Sequence, residues 1–304
     1  MNPRYPSAVP ALATAALVLA GCASAPSGAA PGTEQPGGVV KVLASFYPLQ
    51  YVTEKVGGDL VEVSSLTPPG AEPHDVELSP RQVRSVGEVG LVVYLSGFQR
   101  AVDEALAARE PAHVLDAADT ADLRPAPGAA DDATLDPHFW LDPDRLARLA
   151  TPVAAALAEL DPDNADTYAA NATTLLADLA SLDAEFRAGL ATCEQRVIVT
   201  SHEAFGYLTD RYDLEQVGIS GLDPDAEPSP ARLKEIGDVV RAQGVTTIFS
   251  EELVNPKVAQ TLAADLDITS AVLDPVESLA DPSSDYRGVM GKNLGVLRAA
   301  LACT

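Results

Sequence analysis

Positive charge is scarce in this sequence: 20 lysines and arginines face 44 aspartates and glutamates, for a net charge of −24. A surface that negative repels phosphate backbones and anionic headgroups, which argues against nucleic acid as a partner, and it concentrates cations instead. Catalytic signatures are missing too: there is no His-Glu-x-x-His pattern and no isolated Gly-x-Ser-x-Gly elbow, so neither a common zinc-protease site nor an acyl-hydrolase nucleophile can be read from the chain. The only long apolar run, Ala8–Ala20, is too short to span a bilayer. Cysteine is limited to Cys22, Cys193 and Cys303, and histidine to His74, His113, His138 and His202. With so few of each, the position of every one carries information.

What is present is ordinary globular material, with 47% hydrophobic and 21% charged residues. A length of 304 residues suits two compact lobes better than one small core. Residues 1–21 read as an export signal, with Arg4 the only charge ahead of the apolar run, followed by Leu19-Ala20-Gly21-Cys22. That tetrapeptide looks like a bacterial lipobox, which makes Cys22 the lipidated residue and membrane lipid its partner. Residues 22–38, rich in Ala, Ser, Pro and Gly, have the composition of a flexible tether. Cys193 and Cys303 are then an even pair in an oxidising compartment, and a disulfide between them is expected.

From Val39 onward, short β-rich runs at Val39–Ala44, Val61–Leu66, Leu91–Leu95 and His113–Leu115 alternate with helix-like stretches. A second alternating series follows, with runs at Val197–Val199, Leu214–Ile219, Thr246–Phe249 and Ile268–Leu273. Between the two lies a long amphipathic pattern, Asn164–Leu190, with Leu175, Leu176, Leu179, Leu182 and Phe186 on its apolar face. The expected fold is α/β: two similar lobes, each a mostly parallel sheet flanked by helices, joined by one long linking helix. The divisions fall at 39–160, 161–192 and 193–304. Glu77-Leu78-Ser79-Pro80 echoes Glu227-Pro228-Ser229-Pro230, each opening a helix with serine as cap and proline in the first turn.

His74, His138 and His202 lie just beyond expected strands or in loops flanked by turn residues, where parallel sheets hold their ligands. His113 begins an apolar run and reads as structural. Three imidazoles with one carboxylate suit tetrahedral zinc. Asp274, in Leu273-Asp274-Pro275 at the end of the last strand, is the favoured carboxylate, with Glu251 and Glu252 as competitors; the alternative for Asp274 is that Asp-Pro merely makes a turn.

Five ordered motifs carry a resemblance: Pro-Gly-x-x-Pro-His-x-x-Glu, Asp-Pro-His-x-Trp-Leu-Asp-Pro, Thr-Ser-His-x-Ala-Phe-x-Tyr, Glu-Pro-Ser-Pro and Leu-Asp-Pro. From Val39 to the C-terminus the chain resembles the zinc/manganese solute-binding proteins of ABC transporters, the cluster A-I family. The resemblance implies a metal held in the interlobe cleft by His74, His138, His202 and Asp274, and passed to a membrane permease by a single copy of the chain. Family members selective for manganese often carry a carboxylate in place of the third histidine, so His202 points to zinc, with manganese and iron as alternatives. Trp140 and Asp142 would back His138, Asp142 by orienting an imidazole. The loop between Arg124 and Pro137 lacks the histidines of some zinc members and offers only Asp131, Asp132 and Asp136 as weak ligands. The rival readings are a zinc-dependent hydrolase and a surface adhesin.

Overall fold

A computed structural model describes residues 38–127 and 134–304. The proposed signal, Cys22, nearly all of the tether, and Asp131 and Asp132 therefore lie outside the described residues.

The first sheet contains β1 (Val40–Ala44), β2 (Val61–Ser65), β3 (Leu91–Tyr94) and β4 (Val114–Asp116). After it come two very short strands, β5 (Arg124–Pro125) and β6 (Leu135–Asp136), which pair antiparallel where the sequence suggested only a loop. The second sheet contains β7 (Val197–Thr200), β8 (Glu215–Gly218), β9 (Thr247–Ser250) and β10 (Thr269–Val272). Both four-stranded sheets are parallel throughout.

Their strand orders are β2-β1-β3-β4 and β10-β9-β7-β8. Counted within its own half, each sheet places its first strand between its second and third, with the fourth outside the third, so the two halves share one topology. The serine-proline echo falls at equivalent places in that topology, on the helix after the second strand of each half. Ser79 caps the helix Pro80–Val86 by accepting from the Gln82 backbone N–H, and Ser229 caps Pro230–Gln243 by accepting from Arg232. Pro80 and Pro230 sit in the first turn, where the missing N–H costs nothing.

The helix Ala165–Leu190 runs 26 residues, about 39 Å at 1.5 Å per residue. Leu175, Leu179, Leu182, Phe186 and Leu190 form its buried stripe at the expected helical spacing. Leu176 falls off that stripe and stays exposed, contrary to the sequence expectation, because it lies only one residue, roughly 100° of turn, from Leu175. The stretch Asp142–Leu160 forms two helices, Pro143–Ala147 and Ala150–Leu160, instead of one.

One continuous core joins the halves. It runs from Val42, Phe46 and Leu49 through Trp140 and Leu182 to Ile198, Phe205 and Tyr286. Across it, Trp140 Nε1 donates to the Pro275 carbonyl at 2.8 Å and the Tyr286 hydroxyl donates to the Trp140 carbonyl at 2.6 Å. The Arg211 guanidinium bridges Asp183 on the long helix, at 2.6 Å, and Asp142, at 3.0 Å. A disulfide links Cys193 to Cys303, fastening the end of the helix Tyr286–Ala300 to the start of the second half.

Candidate metal centre

Each functional side chain follows a strand or a tight turn. His74 lies in the segment after β2, whose start extends the sheet as Leu66 and Thr67 donate to the Ala44 and Ser45 carbonyls. Gln99, fully buried, donates to Thr67 Oγ1 at 2.8 Å and to the Pro73 carbonyl at 3.1 Å, which fixes the peptide just before His74. The Glu72 carboxylate accepts from the His74 backbone N–H at 3.1 Å. Four residues before His74, Gly70 takes a positive φ of 74° and its N–H donates to Ser278 Oγ across the cleft.

His138 follows β6 after one residue, Pro137. Asp136 Oδ1 accepts from the His138 backbone N–H at 3.0 Å and lies 2.8 Å from the ring Nδ1. His202 follows β7, with its carbonyl accepting from Thr200 Oγ1 and Gln216 Nε2. Glu251, at the end of β9, accepts from the His202 backbone N–H at 3.2 Å and brings Oε2 to 2.7 Å from the ring Nδ1. That second contact is short but not aligned as a hydrogen bond, so its effect is mainly Coulombic.

The carboxylate that meets the histidines is Glu277. Its Oε1 lies 3.1 Å from His138 Nε2 and 3.5 Å from both His74 Nε2 and His202 Nε2. The imidazole Nε2 atoms are 3.3 Å apart for His74 and His138 and 3.4 Å apart for His138 and His202. A tetrahedron of ligands about 2.0–2.1 Å from a central zinc has edges of ~3.3–3.4 Å, and these separations bracket that length. The side chains of His138 and His202 are 0% exposed, Glu277 4% and His74 15%.

The donor set fits a cation on chemical grounds. With Nδ1–H of His138 bonded to Asp136 and Nδ1 of His202 facing the Glu251 charge, the neutral Nδ1–H tautomers of both rings present Nε2 lone pairs toward the same point. Glu277 Oε1 is buried there without an aligned hydrogen-bond donor. Acceptors crowded at these distances repel one another unless protons or a metal ion neutralise them. In the metal-free protein protons would do so. Burial opposes charging His202, but its contacts with Glu251 and Glu277 prevail and push its pKa up to about 10. His138 is raised in the same way by Asp136 and Glu277 against its burial. Burial pushes Glu277 upward, yet the facing imidazoles hold it well below the usual carboxylate range.

The structure corrects the sequence reading at the carboxylates. Asp274 is not in the group. Its Oδ1 accepts from the Val276 N–H at 2.7 Å, closing an Asx turn, while Asn293 clasps its backbone from both sides. Pro275 and the left-handed Val276, at φ 57°, complete the reversal that turns Glu277 into the cleft. Asp274 and exposed Glu252 instead line a separate cavity of about 310 Å³. Burial, with Glu252, Glu277 and Glu251 nearby, pushes the Asp274 carboxyl up to about 6. Asp142 does not orient an imidazole: it caps the helix Pro143–Ala147 and pairs with Arg211 and Arg145. Trp140 does pack on His138, with ring centroids 5.2 Å apart. His113 is exposed and outside the group.

Sequence reasoning missed Glu277 and read Asp136 only as a weak ligand of the loop, where the structure sets it against His138 Nδ1. The signal for Glu277 was the spacing Asp274-Pro275-Val276-Glu277, since an Asx turn reverses the chain and presents the residue just beyond it.

The chain matches the model of the family described as zinc-uptake complex component A, periplasmic, over residues 42–300. It is 33% identical over 282 residues to the zinc-binding lipoprotein AdcA of Streptococcus pneumoniae, covering 87% of this chain and 56% of that protein. It thus spans about half the length of the first curated relatives it matches. It is 30% identical over 307 residues to the high-affinity zinc uptake system protein ZnuA of Bacillus subtilis, covering 95% of this chain and 96% of that protein. Its fold matches the laminin-binding protein Lmb of Streptococcus agalactiae, described as a bifunctional protein with adhesin and metal-transporting activity, at a TM-score of 0.79 and 33% identity, over 86% of this chain and 99% of that one. With a family match that spans both sheets, the linking helix and all four converging side chains, the chain belongs to the periplasmic component A family of zinc-uptake complexes.

Proposed function

We propose that this protein captures a zinc ion outside the cytoplasm and delivers it to the membrane permease of an ABC importer. The observation that carries the reading is the convergence of three imidazole Nε2 atoms and one carboxylate oxygen, with five of their six separations at 3.1–3.5 Å and all of them within 4.8 Å. His74, His138, His202 and Glu277 are the proposed ligands, three from nitrogen and one from oxygen. That balance favours zinc over manganese, which suits oxygen-rich sites. Four protein donors also complete the tetrahedral sphere, so no position is left for a substrate water, and the chemistry is capture rather than hydrolysis. Relatives named for zinc binding and zinc uptake support the same reading.

Further parts of the reading rest on the sequence. Lipid on Cys22 would hold the protein at the outer face of the membrane as a single copy, with the tether giving it reach to the permease. The acidic surface would draw the cation toward the cleft.

The test is titration of chelator-stripped protein with zinc and manganese in competition. One tight zinc per chain, lost in His74→Ala, His138→Ala and His202→Ala, is the expected result. Preference for manganese, or tight zinc retained in those variants, would overturn it. Deletion of the gene should give a growth defect cured by added zinc.

A further inference from the structure

The three imidazoles are not held alike. His138 and His202 each have a buried carboxylate behind the ring, Asp136 in the first half of the chain and Glu251 in the second, exposed by only 2% and 3%. In both cases one carboxylate reaches two groups of the same histidine, the backbone N–H and the ring Nδ1. His74 has a different support. Glu72 accepts from its backbone but not its ring, and the ring rests edge-on against Phe98 at 4.8 Å.

A carboxylate that holds both the main chain and Nδ1 does two things. It favours the Nδ1–H tautomer, which leaves Nε2 as the donor to a metal, through a hydrogen bond accepted by Asp136 that also fixes the His138 ring rotation and through the close negative charge of Glu251 at His202. It also makes the imidazole more electron-rich. Asp136 is itself anchored, because its backbone carbonyl accepts from the Tyr207 hydroxyl at 2.8 Å, and Tyr207 belongs to the second half of the chain. The aim of a first-half imidazole is therefore set from a second-half helix, Gly206–Arg211.

Resting on the proposed zinc site, we propose that Asp136 and Glu251 are positioning residues. They preorganise His138 and His202 so that these two, with Glu277, form a fixed seat for the ion, while His74 joins it without a carboxylate on its ring. The ring contact of Asp136 is the better aligned of the two, so its loss carries the larger effect.

The experiment compares the whole protein with its Asp136→Asn, Asp136→Ala, Glu251→Gln and Glu251→Ala variants. It measures zinc affinity by chelator competition, the visible d–d spectrum after Co²⁺ loading, and melting of the stripped proteins. Asp183→Asn, which weakens the Arg211 bridge away from the histidine rings, serves as the structural control. Asp136→Asn and Glu251→Gln should weaken zinc binding by ~10–100-fold. Both should alter the cobalt bands with stripped melting near that of the unaltered protein, and the alanine variants should lose more. Asp183→Asn should lower melting and leave the cobalt bands in place. Zinc affinity within about twofold and unchanged cobalt spectra in all four positioning variants would overturn the assignment. If the unaltered protein binds no zinc tightly, the proposed function fails and takes this inference with it, an outcome the variant series cannot mimic.

Discussion

Zinc binding should release protons, and the number follows from the electrostatics of the centre. In the metal-free protein Glu251 and Glu277 push the pKa of His202 up to about 10, so at about pH 7.5 its ring is almost wholly charged. A pKa 2.5 units above the ambient pH leaves only about one ring in ~300 neutral. A charged imidazole cannot ligate, so each zinc must displace at least one proton from His202, and more if His138, also raised, holds another. The apparent affinity should then climb about tenfold per pH unit between about pH 7 and 9.5. Stability without metal follows the opposite sign. A histidine whose folded pKa is raised contributes stability that is complete below its unfolded value of about 6.5 and is lost as pH rises through about 10. Glu277, depressed by the imidazoles, contributes above its unfolded value of about 4.5 and loses that contribution only on acidification through its lower folded pKa. Proton-held order therefore fades over the same range in which zinc-held order grows. Calorimetric titration of zinc in two buffers of different protonation enthalpy counts the protons directly. Release of one or more per zinc at about pH 7.5 is expected. Release near zero, with affinity flat from about pH 7 to 9, would refute the charge assignment.

Other outcomes follow from the same geometry. Glu277→Ala should weaken zinc by more than the ~100-fold that an outer partner can cost, whereas Asp274→Ala should keep one zinc per chain and lose about 1 kcal/mol of stability with its turn hydrogen bond; competition titration and urea unfolding distinguish them. Replacing both Cys193 and Cys303 with serine opens a link across a sequence separation of 110 and should cost about 3–5 kcal/mol, read as a clear fall in melting temperature. Trp140→Phe keeps most of the packing but strands the buried Pro275 carbonyl, so a loss of about 1–3 kcal/mol is expected by denaturant unfolding. An unchanged unfolding midpoint in that variant would show that the indole N–H does not contribute.

Much of this architecture was legible because its signals are local. All eight strands of the two sheets fall within a residue or two of the β-rich runs, and the linking helix declares itself through Leu175, Leu179, Leu182 and Phe186. The shared strand order of the two halves was only hinted at by the serine-proline echo, because parallel pairing is long-range and leaves no mark on either strand. Histidine is rare enough that its loop positions exposed three of the four converging side chains. Carboxylates are the opposite case. With 44 of them, residue type says almost nothing, and only three-dimensional placement separates Glu277 from Asp274, Glu251 and Glu252.

The carboxylate correction also shows how the turn and the site depend on one another. Asp-Pro at the end of β10 reads equally well as a ligand or as a turn former, and here it is the turn that serves the site. Asp274 captures the Val276 N–H, proline fixes its own φ, and the β-branched Val276 is held in the left-handed region that such residues avoid. A conformation of that kind costs on the order of 1–3 kcal/mol and persists only where its surroundings impose it. The surroundings here are identifiable: Asn293 holds Asp274 on both sides of the peptide, Trp140 holds the Pro275 carbonyl, and the Val276 side chain is wholly buried. Trp140 in turn packs on His138, so the group that steadies the Glu277 turn also steadies the imidazole closest to Glu277. The separation between the two is thus set by a shared indole bridging the halves, and the strain at Val276 is the consequence of bringing a carboxylate to that point.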